Sequence, residues 1–207
     1  MSGPDYLERV RDAKEDYPGF SLIAGDIGGL YLFSNRDPTE SICPLPTGTV
    51  VGLTNTLLIP GWYKATHGVA LMESLDTPDP DLVSDLAKES DFDATGSSPS
   101  PTLDTLFAPL FAILGDREGP NELESSNDVY DMAGQYAPIF VDVLSTNNAP
   151  GAPPKEYGTR CSIIVLVDYQ NRITYYERSL DTSTRRWENR VFHFQAYPPN
   201  AQSSNSQ

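Results

Sequence analysis

Apolar residues recur along this chain with two different periods, and the switches between them lay out its elements. The clearest helical stripe is Leu103, Leu106, Phe107, Leu110, Phe111 and Leu114, spaced by threes and fours. It predicts a helix opened by Ser100-Pro101, where proline's missing N–H costs nothing, kinked at Pro109 and ended by Gly115. A shorter stripe, Leu7 and Val10 with Tyr6, predicts an amphipathic helix over 4–16 that Pro18-Gly19 stops. Two more helices are expected, one over 62–75 and one opened by Asp79 as N-cap with Pro80 behind it.

Strand-like runs occupy 20–25 and 30–35, and Asp26-Ile27-Gly28-Gly29 between them suits a hairpin turn. A third strand is expected over 49–54, after the proline loop Cys43-Pro44-Leu45-Pro46. Another is expected over 137–144, with Pro138 confined to its start or to an edge. The chain closes with a meander over 161–168, 173–179 and 190–195. The first of these, CSIIVLVD, is apolar at every position but its ends and Ser162. That predicts a central strand covered on both faces. Residues 95–101, 116–131 and 146–156 read as loops, the second of them acidic, and 198–207 as a disordered tail. Sheets with layered helices give an α+β class.

At 207 residues the chain suits one domain with an ample core. The formal net charge is −15, unevenly spread: residues 73–131 hold 15 acids against Lys88 and Arg117. A field of that sign repels nucleic acid and anionic headgroups, and its simplest reading is a solvated helical surface. No run approaches the roughly 20 apolar residues of a membrane span. The polar, mixed-charge N-terminus reads as neither a secretory signal nor a transit peptide. Two cysteines, Cys43 and Cys161, make no disulfide framework and point to a reducing compartment. The histidines, His67 and His193, lack metal-ligand spacing, so no metal is expected. His67 has the chemistry for axial haem ligation, but a helix surface position explains it more simply. His193 alternates with Phe192 and Phe194 and is expected to face solvent.

Tyr157-Gly158-Thr159-Arg160 sets an obligate cation at the mouth of the 161–168 strand. With the rest of 157–194, including Glu177-Arg178-Ser179 and Trp187-Glu188, it resembles the transport and Golgi organisation protein 2 family, also called the NRDE-motif family. Three earlier blocks are similar to that family's second half: GFSLIAGD from Gly19, VGLTNTLL from Val51 and PGWYK from Pro60. The resemblance covers most of 17–75 and 157–195. It implies an αββα sandwich like the N-terminal-nucleophile hydrolases, here N-terminally incomplete. The domain would run over 1–197, with the acidic helical region 73–131 inside it.

In such hydrolases an N-terminal cysteine attacks an amide while its own α-amine takes the proton. Related acylases add an Asn and an Arg from the second half. The resemblance carries those roles onto Asn55, whose amide would donate to an oxyanion, and Arg160, which would hold a carboxylate or polarise the nucleophile. No cysteine follows Met1. Ser2 precedes Gly3-Pro4 and a polar helix rather than a strand, which is poor placement for a nucleophile. Asn35-Arg36-Asp37-Pro38 matches three letters of the family motif but reads as a strand-end turn. Cys161 reads as a small buried hydrophobe, the alternative being a reactive thiol whose pKa Arg160 lowers.

The resemblance therefore implies a role in Golgi organisation and secretory trafficking without catalysis in this form. The alternative is amide hydrolysis once the missing half is present. It also implies a haem or acylated small-molecule ligand, and a cytoplasmic location with Golgi or mitochondrial association. A sandwich short of one part exposes apolar faces and strand edges, so self-association or a protein partner is expected.

Overall fold

The computed structural model describes residues 1–26, 28–54, 63–76, 101–119, 138–142, 144–146, 155–168 and 170–195. Those residues form three α-helices and three antiparallel sheets, an α+β arrangement. They fall into two compact units, one within residues 1–69 and the other within residues 70–195.

The first unit opens with helix α1 (Gly3–Asp12) and a 3-10 turn (Lys14–Asp16). Ser2 caps α1: its hydroxyl accepts from the Asp5 N–H, and the Asp5 carboxylate accepts from the Ser2 N–H, both at 3.3 Å. Strands β1 (Ser21–Asp26) and β2 (Gly29–Ser34) form the expected hairpin, with Asp26 accepting from the Gly28 N–H at 2.8 Å. Leu7 from α1 and Phe33 from β2 are fully buried, each stabilising the unit by about 1.5–3 kcal/mol. Glycine is needed where α1 meets β1, since a Cβ on Gly3 would come within 2.7 Å of the Gly25 Cα.

The third strand, β3, is not at 49–54 but is the short Cys43–Pro44 pairing with β2. The proline loop extends along the sheet because the Leu45 N–H donates to the Leu30 carbonyl at 2.8 Å. Residues 50–54 instead run as irregular chain. Gly52 lies so close to helix α2 (Tyr63–Glu73) that a Cβ there would meet the Ala65 carbonyl oxygen at 2.8 Å. Asn35-Arg36-Asp37-Pro38 is a turn, as expected. The Asn35 side chain accepts from the Phe20 N–H at 2.7 Å, and Asp37 accepts from Thr39.

The second unit is built on helix α3 (Pro101–Leu114) and the meander β6 (Cys161–Val167), β7 (Arg172–Asp181) and β8 (Arg186–Gln195). A two-stranded sheet, β4 (Leu144–Thr146) with β5 (Lys155–Tyr157), accompanies them. The α3 stripe does what its spacing predicted. Leu103, Leu106, Phe107 and Phe111 are buried against Tyr176 and Val191, with Leu110, Leu114, Ile164 and Leu166 packed around them. Pro109 sits inside the helix on its exposed side.

Three expectations fail in this unit. Residues 138–142 are not strand; pairing begins only at Leu144. There the Val141 N–H donates instead to the Thr159 hydroxyl, and the Thr159 N–H to the Val141 carbonyl. Secondly, β6 is an edge strand of the meander rather than a central one, and β7 lies between the others. One face of β6 packs under α3. On the other, Ile163, Val165 and Val167 are 44%, 56% and 45% exposed. Thirdly, His193 turns toward the α3 side, half-buried, with its Nδ1 3.3 Å from the Thr174 hydroxyl, while Phe194 is exposed. Register explains the inversion: Val191 pairs with Tyr176 under the helix, so alternation carries His193 inward and Phe192 and Phe194 to the open face.

The helix expected from Asp79-Pro80, most of the 116–131 loop and the tail 198–207 lie outside the described residues.

Candidate functional site

Tyr157 ends β5, and Gly158 to Arg160 carry the chain into β6. Thr159 fixes this passage through its two bonds to Val141, both 2.8–2.9 Å. Arg160 stands one step before the Cys161–Ser179 pair, and its carbonyl accepts from the Leu180 N–H at 2.8 Å. The side chain of Arg160 is exposed. Asn55 lies outside the described residues, so its expected partnership with Arg160 rests on the sequence alone.

Cys161 departs from both of its readings. It is exposed rather than buried. Partial desolvation, then the charge of Glu177, push its thiol pKa up rather than down. The Arg160 guanidinium therefore does not make it a thiolate at neutral pH. Ser2, with its hydroxyl engaged in the α1 capping box, is a helix cap.

The residues that do converge lie between the end of α3 and the meander, around a cleft of about 410 Å³. Its lining includes Ser162, Arg178 and Asn189, which form one register row across β6, β7 and β8. Phe111 from α3, Phe140 and Trp187 supply aromatic walls, the last two with ring centroids 5.8 Å apart. Two guanidiniums lie on aromatic faces: Arg178 is 4.1 Å from the Phe111 ring centroid and Arg117 is 4.3 Å from that of Phe140. Arg178 Nε donates to Asn189 Oδ1 at 3.1 Å. Arg117 Nε donates to the Asp142 carboxylate and its Nη1 to the Gly115 carbonyl, all at 3.1 Å.

Under the row, Tyr176 donates its hydroxyl hydrogen to Asp104 Oδ1 at 2.6 Å. Burial first, then Asp104, push the phenol up to about 12, with Arg178 pulling the other way. In the sequence, Trp187 and Arg178 stood out only as part of the resemblance and Arg117 only as a charge, and nothing singled out Phe140 or Asn189. The available signal was polar residues at 162, 178 and 189, one row along the same face from Ile164, Tyr176 and Val191, which pack with α3.

A sequence model described as Transport and Golgi organisation 2 matches residues 1–182. The chain belongs to that family. The match includes α1, which lay outside the blocks that first suggested the resemblance, and it continues through residues 73–131. The Transport and Golgi organization 2 homolog of Mus musculus is 28% identical over 205 residues, covering 94% of this chain. The Homo sapiens homolog is 30% identical over 200 residues, covering 91%. This chain spans 63% and 61% of the lengths of those two relatives. Within the family match lie both guanidiniums of the cleft and four further members, Phe111, Gly115, Phe140 and Ser162; Trp187 and Asn189 lie just beyond it.

Proposed function

We propose that this chain serves Golgi organisation and secretory transport, and that it does so by binding rather than by catalysis. The family match over residues 1–182 carries the first half of this reading, with relatives named for transport and Golgi organization. Chemistry favours the second half. Ser2 is committed to a helix cap, and the thiol of Cys161 is shifted toward its protonated, less nucleophilic form. The ligand proposed is haem or an acylated small molecule, and the proposed fold is an αββα sandwich of the N-terminal-nucleophile-hydrolase kind. The chain is proposed to act at the cytoplasmic side of the Golgi, with mitochondrial association as a second location. It would self-associate or take a protein partner. Among the described residues no helix is long and apolar enough to cross a membrane.

The competing reading is an amide hydrolase in which Asn55 and Arg160 complete a site whose nucleophile comes from elsewhere. The test is rescue of secretory transport in cells depleted of their own family member. Full rescue by this chain, retained in Cys161→Ala and Arg160→Gln, is the expected result. Failure to rescue removes the transport reading. Loss of rescue in Arg160→Gln, with the variant folded, favours the hydrolase.

A further inference from the structure

The cleft of Arg117 and Arg178 gives the binding reading a place and a ligand chemistry. We propose that it binds an anion borne on a flat apolar body, an aromatic carboxylate or phosphate ester. This proposal rests on the binding reading above and deepens it. A volume of about 410 Å³ lies within the usual range for small-molecule sites, roughly 300–1,000 Å³. Trp187, 40% exposed in the cleft wall beside Phe140, offers aromatic surface that a ligand ring reaches from solvent.

The two guanidiniums supply the anion's partners. Each is already laid on an aromatic ring, so less side-chain freedom is lost when an anion arrives. A guanidinium has five N–H donors. Arg117 uses its Nε and one Nη1 hydrogen, and Arg178 uses its Nε on Asn189 and contacts the Tyr176 hydroxyl. Donors therefore remain on both for a carboxylate or phosphate, and the Ser162 hydroxyl stands in the same row.

Asp142 is the competitor. Its carboxylate takes the Arg117 Nε where a ligand anion would also bind. Both members of that pair are more than half exposed, so it holds weakly. Neutralising Asp142 should therefore tighten anion binding, a gain that a purely structural role for Arg117 does not produce.

The test is calorimetric titration of the full chain with 2-naphthoate and 1-naphthyl phosphate, with 2-naphthol as the neutral analogue. The anions are expected to bind at least about tenfold more tightly than naphthol, as charge-assisted bonds require. Arg117→Gln should weaken the anions by about tenfold and leave naphthol unchanged, and Asp142→Asn should strengthen them several-fold. Arg178→Lys tests the second guanidinium. Should that variant not fold, the exposed Arg117 and Asp142 variants decide the matter alone. Equal affinity for naphthol and naphthoate, or anion affinity indifferent to both Arg117→Gln and Asp142→Asn, overturns the proposal. Anion binding by a chain that fails to rescue transport leaves the cleft standing and removes the transport reading. Rescue by a chain whose cleft binds neither anion does the reverse.

Discussion

Tyr176 joins α3 to the meander: it is fully buried, its ring meets those of Phe107 and Phe111, and its hydroxyl reaches Asp104. An unfolded tyrosine loses its proton near pH 10, whereas Tyr176 holds its own to about 12. Between those values the unfolded state binds fewer protons, so stability falls as pH rises. The contribution is complete below about pH 10 and is lost as pH passes about 12. Tyr176→Phe should cost about 1–2 kcal/mol at neutral pH, and its deficit against wild type should shrink from pH 10 upward. Urea unfolding of both proteins at neutral pH and near pH 11 reads this; an unchanging deficit contradicts it. At Cys161 the raised thiol pKa predicts slow alkylation by iodoacetamide at neutral pH, sped by Glu177→Gln, whose charge is the second cause of the shift. A Cys161 that alkylates faster than an unperturbed thiol, followed by peptide mass, speaks against this.

At the scale of elements, the strongest periodicities were legible and the weaker ones were overridden by particular contacts. The α3 stripe identified its core residues, because a six-residue apolar face has one way to be buried. Phe107→Ala at its centre should destabilise the chain by about 3–5 kcal/mol, measured by thermal or urea unfolding. A cost under about 1 kcal/mol shows that α3 is not packed as described. The β1–β2 hairpin was equally legible through its turn. The 49–54 strand was not, because Gly52 is held against α2, a contact between chain segments that no local pattern records. The strand over 137–144 failed because Val141 spends its N–H and carbonyl on Thr159 rather than on a ladder. Apolar residues on both faces suggested that β6 was central. The meander order makes it an edge, and only alternation relative to the Val191–Tyr176 pair shows which face is covered. The site was less legible still. Arg160 was correctly set at the mouth of β6 but is exposed. The residues that converge on the cleft come from α3, the 116–119 and 138–142 segments and three strands, so they meet only after folding.

For the molecule as a whole, the open side of the meander bears directly on assembly. Ile163, Val165, Val167 and Phe194 stand exposed together, with Tyr175 and Phe192 between them by register. Such a face invites association. Sedimentation of the chain over a range of concentrations should show self-association, and Val165→Lys should reduce it without lowering the melting temperature; a wild type that stays monomeric throughout contradicts this. The function proposed for the chain is binding rather than hydrolysis. It is tested most directly by incubating the full chain with a panel of acyl amides and measuring released amine. Release no faster than in buffer is the expected result. Turnover above buffer that disappears in Arg160→Gln would contradict it and restore Arg160 to a catalytic site.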